Sequence, residues 1–123
     1  MQRFILGFAA VSGFAAVALG TFAAHGLKHH LSAYSLSIFH TGVEYQMYHS
    51  LALLAIAGLF KQQQPAKFLK LSGLAFALGI VLFSGSLYAL ALGVPPVLGI
   101  ITPFGGLALL IGWAALAAHA YRH

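Results

Sequence analysis

Cysteine is absent from this sequence, and charge is scarce: the 123 residues include one acidic side chain, Glu44, and six Lys or Arg. The lack of cysteine excludes disulfides, thiol catalysis and thiolate metal ligands. Charged residues make up 6% of the chain, against roughly a quarter in an average soluble domain. A water-facing surface could not be built from so few, so the composition excludes an ordinary soluble globular protein and a disordered one.

Long apolar runs dominate what remains. Hydrophobic residues make up 61% of the chain, and a run of about 20 residues is long enough to cross the lipid hydrocarbon layer as a helix. Four runs qualify: residues 4–24, 41–60, 71–92 and 103–121. None alternates apolar with polar residues as a membrane barrel strand would. The sequence therefore predicts an all-α, four-helix transmembrane bundle forming a single domain over residues 1–123, with Thr102 as the N-cap of the fourth helix and Pro103 at its first position.

The basic residues are placed asymmetrically around these runs. Five lie next to ends of apolar runs that would face the same side of the membrane, and Lys28 alone lies on the other side. The five are Arg3, Lys61, Lys67, Lys70 and Arg122. Positive residues favour the cytoplasmic side. We therefore expect both termini and the linker 61–70 to face the cytoplasm, with membrane lipids as partners. Because the net charge of +5 is scattered, nucleic-acid binding is not expected.

A short amphipathic segment separates the first two runs. Leu27, Leu31, Tyr34 and Ile38 fall within about 60° of one another on a helical wheel. This pattern predicts a short interfacial helix between helices 1 and 2, lying flat on the outer surface. A polar re-entrant loop packed on the bundle is the alternative.

Most polar side chains within the runs belong to the outer half of the predicted bundle. Glu44, Tyr45, Tyr48 and His49 occupy an arc of about 140° on a helix, with contacts possible between residues four apart. Four residues from other runs are expected at a similar depth. The resulting candidate polar cluster comprises His25, Glu44, Tyr45, Tyr48, His49, Ser84, Ser86 and Tyr88.

Several roles for this cluster stay open. Glu44 must be hydrated at the interface, protonated or paired, since an unpaired carboxylate in hydrocarbon is costly; the candidate partners are Lys28, His25, His40 and His49. Its side chain and that of His49 could join helices as satisfied polar groups, or could form a proton- or ligand-handling site. The histidines lack tight metal-ligand spacing, so no metal, cofactor or catalytic residue is predicted. Trp113 lies near mid-membrane, where its N–H needs a partner within the bundle.

Small residues recur at three- and four-residue steps in three of the four runs, which allows helices in lipid to approach closely. They are Ala9, Gly13, Ala16 and Gly20 in the first run, Gly73, Gly79 and Gly85 in the third, and Gly105, Gly106 and Gly112 in the fourth. We expect these residues to lie at helix–helix contacts.

Four motifs together carry a family resemblance. They are GTFAAHGLK at 20–28, TGVEYQMYHSLALL at 41–54, LFSGSLY at 82–88, and ITPFGG at 101–106 followed by Gly112-Trp113. On these residues the chain resembles the domain of unknown function 423 family of small bacterial inner-membrane proteins, related to eukaryotic transmembrane protein 256. The resemblance implies a four-span helical membrane protein with no established activity and no catalytic residues to carry over.

Two functional hypotheses follow from the sequence. The first is a non-enzymatic structural or accessory component of the membrane. The second is a small transporter-like or ligand-binding bundle that uses the candidate polar cluster. A membrane enzyme is disfavoured because one carboxylate and scattered histidines define no nucleophile–base pair. A homo-oligomer and an unidentified protein partner both stay open.

Overall fold

The computed structural model describes residues 1–62 and 67–122, apart from the side chains of residues 61 and 62. It confirms the prediction of an all-α chain. The helices are α1 (Gln2–Phe22), α2 (Ala33–Gln62), α3 (Lys67–Gly79), α4 (Gly85–Ala91) and α5 (Ile101–Arg122). A π-helical turn, Ala23–Leu27, extends α1, and a second, Ile80–Ser84, joins α3 to α4. The described residues therefore form four rods, of which α3 and α4 together make the third.

Three of the four rods are long and apolar enough to cross a membrane. Within the described residues they are Gln2–Leu27, Lys67–Ala91 and Pro96–Arg122. The fourth rod, α2, has 30 residues but carries Glu44, Gln46 and His49 near its middle, which lowers its hydropathy.

The separate interfacial helix predicted between helices 1 and 2 is absent from the described chain. Residues 33–40 are instead the first turns of α2, which continues unbroken to Gln62. Leu31 and Ile38, from the predicted apolar face, pack against a buried cluster that includes Phe39, whereas Tyr34 is exposed. The amphipathic pattern thus reflects packing on the bundle, which the wheel alone could not distinguish from packing on lipid.

The entry into α5 also differs from the prediction. A 3₁₀ turn, Pro96–Ile100, leads directly into α5 at Ile101, so Thr102 lies inside the helix and is not its N-cap. The chain reverses before this turn at Gly93, whose φ of 102° is a conformation that favours glycine. Of the predicted 61–70 linker, residues 63–66 and the side chains of 61 and 62 lie outside the described residues, and Lys67 and Lys70 belong to α3.

Four of the glycines expected at helix–helix contacts allow close packing. A Cβ atom at Gly112 would lie 2.5 Å from the Phe76 ring, and one at Gly73 would lie 2.5 Å from Ile5 Cδ1. At Gly105 it would overlap the backbone nitrogen of Phe83, and at Gly79 it would overlap the Leu109 side chain. The predicted role of small residues is confirmed at these positions. It is wrong at Gly85, where a Cβ would meet nothing within 4 Å, because the π-helical turn Ile80–Ser84 rotates the following residues.

Candidate functional site

His49 links α2 to α5 through Trp113. Trp113 Nε1 donates a hydrogen bond of 3.0 Å to His49 Nε2, and His49 Nδ1 lies 2.7 Å from the carbonyl oxygen of Tyr45. The Phe76 ring contacts both, with ring centroids 5.3 Å from His49 and 5.0 Å from Trp113. The predicted partner for the indole N–H is therefore confirmed, although the indole itself is 48% exposed and only partly in the core.

The two contacts of His49 define its tautomer. An indole nitrogen can only donate, so His49 Nε2 must accept and carries no proton. A carbonyl oxygen can only accept, so Nδ1 must carry the proton and donate it to Tyr45. The geometry thus assigns a neutral imidazole with both nitrogens engaged. A second proton, on Nε2, would point the His49 Nε2–H and the Trp113 Nε1–H at each other, with the two nitrogens 3.0 Å apart.

Glu44 belongs to a different surface of α2. Its Oε2 accepts a hydrogen bond of 2.9 Å from the Tyr48 hydroxyl, one helical turn away, and both side chains are exposed. Among the described residues, this tyrosine is the carboxylate's hydrogen-bond partner; Lys28, His25, His40 and His49 are not.

Gln46 forms the centre of a buried network. Its Nε2 donates to the carbonyl oxygen of Ser12 at 2.8 Å, and its Oε1 accepts from the Tyr88 hydroxyl at 2.5 Å. Ser50 Oγ lies 2.7 Å from Ser12 Oγ and donates to the Gln46 carbonyl at 2.6 Å. One amide therefore connects α1, α2 and α4.

The sequence interpretation omitted Gln46, Ser12 and Ser50. A usable signal was present, because residues 42, 46, 49 and 50 follow three- and four-residue steps along one face of a helix. All four are buried in α2. Glu44 and Tyr48, which the sequence interpretation placed in the candidate polar cluster, lie outside this face.

The remaining members of the candidate polar cluster are distributed among separate contacts. Ser84 is buried and donates to the carbonyl oxygen of Gly42 at 2.7 Å. Ser86 Oγ lies 2.6 Å from Thr102 Oγ1, which joins α4 to α5. His25 is exposed in the π-helical turn after α1 and, within the described residues, forms no hydrogen bond with the other members. The Tyr45 ring centroid lies 5.9 Å from that of Tyr48 and 6.0 Å from that of His49. The structure therefore brings the members on α2 together, whereas Ser84, Ser86 and His25 belong to separate contacts.

A cleft lies between α1 and the segment 80–88. It has a volume of about 370 Å³ and is lined mainly by apolar side chains, with the exposed Val11 and Val81 at its rim. Four polar residues also line it: Ser12, Gln46, Ser84 and Tyr88. The buried network thus lines a cleft between helices.

Comparison with known sequences identifies the family. The family described as "Protein of unknown function (DUF423)" matches residues 19–106, which is most of the chain. The chain belongs to the DUF423 family.

Relatives of this DUF423 chain match it over nearly its whole length. A UPF0382 membrane protein of Haemophilus influenzae is 49% identical over 99% of this chain and 97% of its own. The UPF0382 inner membrane protein YgdD of Escherichia coli K12 is 45% identical over 98% and 92%. The UPF0382 membrane protein YwdK of Bacillus subtilis is 40% identical over 100% and 99%. No solved structure matches.

These relatives and the three apolar helices confirm that this DUF423 protein is a transmembrane protein. The family is described as one of unknown function, so it assigns no activity. Among the described residues, no group of three His, Cys, Asp or Glu side chains is placed to hold a metal ion. His119, which the sequence interpretation did not single out, is buried on α5.

Proposed function

We propose that this protein is a non-enzymatic accessory component of the bacterial inner membrane, built as one domain over residues 1–123. The observation that carries the proposal is the pairing of its buried polar groups between helices. Gln46, His49 and Ser84 each bond to another rod of the bundle. Side chains that form such bonds stabilise helix association in lipid.

The proposal includes α2 as a fourth membrane-spanning helix. At 1.5 Å per residue, its 30 residues extend about 45 Å, which exceeds the hydrocarbon thickness. Its residues 51–60 are apolar, and three of its polar side chains, Gln46, His49 and Ser50, are buried against other helices. Their burial supports a spanning helix despite its lower hydropathy.

The proposed orientation places both termini in the cytoplasm. It follows from the distribution of Lys and Arg, five on that side and Lys28 on the other. Reporter fusions after Phe60 and at the C-terminus should both give cytoplasmic signals. A periplasmic signal from either fusion would refute this orientation.

A structural role for the polar contacts can be separated from transport. Purified wild-type protein in liposomes should carry no more protons than empty liposomes, measured with a pH-sensitive dye inside the vesicles. The His49→Ala variant should lose thermal stability in detergent. Proton flux through the wild-type protein that His49→Ala abolishes without loss of stability would instead establish a transport function.

A second candidate function, ligand binding, is favoured by the cleft between α1 and segment 80–88. Its apolar walls meet the Gln46 amide, whose second N–H is not used by the bonds to Ser12 and Tyr88. Such a site suits an apolar chain with one hydrogen-bonding group, because few polar groups in an apolar pocket orient a ligand.

Two leucine substitutions test this candidate. A side chain at Gly85, which lines the cleft, meets nothing within 4 Å of its Cβ, so Gly85→Leu should fill the cleft without displacing a helix. Gly7 is equally open but lies outside this cleft, so Gly7→Leu is the matched control. Labelling by a photoactivatable long-chain alcohol should fall in Gly85→Leu only. Equal labelling of both variants would contradict a ligand site in the cleft.

A further inference from the structure

Two cationic side chains converge on one aromatic ring at the end of the bundle where α3 begins and α5 ends. Lys67 Nζ lies 5.3 Å from the centroid of the Phe68 ring, and Arg122 Cζ lies 5.3 Å from the same centroid. Because both charges contact the same ring, they lie at most about 11 Å from each other. Lys70 is exposed one turn along α3 from Lys67.

No acidic side chain can neutralise this pair. The only one in the chain is Glu44, which lies 18 residues before the end of α2 at Gln62. That interval corresponds to about 27 Å along the helix. Arg122 lies in the last turn of α5, where a cation complements the helix dipole. A second cation at the same ring adds repulsion unless an anion lies between them.

An apolar path runs from this pair toward the centre of the membrane. Leu71, Leu74 and Leu78 follow Lys67 at steps of four, three and four residues, which places them on one face of α3. All three side chains are exposed. The surface therefore offers cations at the level of lipid headgroups and an exposed leucine row at the level of acyl chains.

We propose that Lys67, Phe68 and Arg122 form a binding site for the phosphate of an anionic phospholipid whose acyl chains lie along Leu71, Leu74 and Leu78. Arg binds phosphate through paired N–H donors, and Lys does so as a point charge. Anionic lipids attract basic residues close to the membrane surface. The site is independent of the roles proposed above for the buried polar contacts and the cleft.

Lipid binding by the full-length protein tests the site. The protein, purified in a neutral detergent, is titrated with phosphatidylglycerol, and bound lipid is counted by native mass spectrometry. Removing each charge should weaken binding about fivefold, so the Lys67→Gln/Arg122→Gln variant should lose more than tenfold. The matched control, Arg3→Gln/Lys28→Gln, removes two cations elsewhere and should change binding less than twofold.

Two further measurements distinguish the source of the phosphate and guard against misfolding. Phosphatidylcholine with the same acyl chains and inorganic phosphate should both bind at least tenfold more weakly than phosphatidylglycerol. The charge-conserving Lys67→Arg/Arg122→Lys variant should retain phosphatidylglycerol binding. Equal weakening in the control variant, undiminished binding in Lys67→Gln/Arg122→Gln, loss of binding in the charge-conserving variant, or inorganic phosphate binding as tightly as the lipid would each overturn the proposal.

Discussion

The indole N–H of Trp113 and the Nε2 atom of His49 form a hydrogen bond of 3.0 Å that joins α5 to α2. His49 is 5% exposed, while Trp113 presents almost half of its surface outward. A polar bond at the edge of the core thus joins a helix of low hydropathy to one of high hydropathy. It also restricts the imidazole to a single neutral tautomer, because the indole N–H can donate a hydrogen bond but cannot accept one.

A double-mutant cycle should detect this bond as an energetic coupling. We expect His49→Ala and Trp113→Phe to destabilise the protein less together than the sum of their separate effects, by about 0.6 kcal/mol and at most about 1.7 kcal/mol. Unfolding in mixed micelles, followed by circular dichroism, measures each free energy. Tyr121→Phe, at a side chain that is 93% exposed, is the control and should show no coupling with His49→Ala. Strictly additive effects of His49→Ala and Trp113→Phe would contradict the bond.

Gln46 should contribute more to the free energy of unfolding than Glu44, the single acidic residue of the sequence. Gln46→Leu leaves the Tyr88 hydroxyl and the Ser12 carbonyl without their partner, and we expect a loss of about 1–3 kcal/mol in the free energy of unfolding. Glu44→Gln keeps an acceptor for the exposed Tyr48 and should change it by less than about 0.5 kcal/mol. Detergent unfolding of the two variants under identical conditions compares them. A larger effect at Glu44 would show that the buried network is not the stabilising element.

Two glycines in neighbouring rods should respond oppositely to alanine. Gly105→Ala places a methyl group against the backbone of Phe83, which cannot rotate away, so we expect a loss of about 1–3 kcal/mol or failure to fold. Gly85→Ala meets open space and should be neutral or stabilising by up to about 1 kcal/mol, because alanine favours helix. Melting temperatures in detergent give the comparison. Similar melting temperatures for the two variants would exclude the close crossing of segment 82–83 with α5.

Ser86 and Thr102 should behave as one unit. Their hydroxyl oxygens are 2.6 Å apart, so Thr102→Val and Ser86→Ala both remove this bond, and Ser86→Ala also removes the bond of 2.9 Å that Ser86 Oγ donates to the Phe83 carbonyl oxygen. We expect Thr102→Val to cost about 0.6 kcal/mol, Ser86→Ala to cost more, and the double variant to cost little more than Ser86→Ala alone. If Thr102 acted as an N-cap, Thr102→Val would destabilise α5 whether or not Ser86 is present. Additive costs in the double variant would therefore favour the cap over the observed pair.

The features that the sequence predicted correctly follow from local composition. Long apolar runs have to form helices in lipid whatever surrounds them, because unsatisfied backbone groups there are too costly. The small residues at 73, 79, 105 and 112 predict close helix contact, because helices in lipid associate mainly by close packing and not by a hydrophobic drive. The need of Trp113 for a partner follows from its single donor.

The positions of the polar groups required the tertiary structure. A helical wheel gives the angle between Glu44, Tyr48 and His49, but it does not show which direction faces a neighbouring helix. The π-helical turn Ile80–Ser84, which no local sequence pattern indicated, changes the direction in which the following side chains point. Gly85 therefore faces outward, while Ser84 bonds to the Gly42 carbonyl oxygen. The contacts of Lys67 and Arg122 with the Phe68 ring could not be predicted from the sequence either. The two cations are more than fifty positions apart, and their proximity depends on how α3 packs against α5.

Composition along the chain is enough to show that the protein lies in lipid and forms helices, and to give their approximate number, because these depend on how much apolar surface each segment carries. The packing of the helices was needed to show that α2 continues through residues 33–40, that Gln46 is the centre of the buried network, and that Glu44 lies outside it. Those outcomes depend on which faces of the four rods meet, and a side chain's partner is set by that geometry, whereas its own chemistry sets only the need for one.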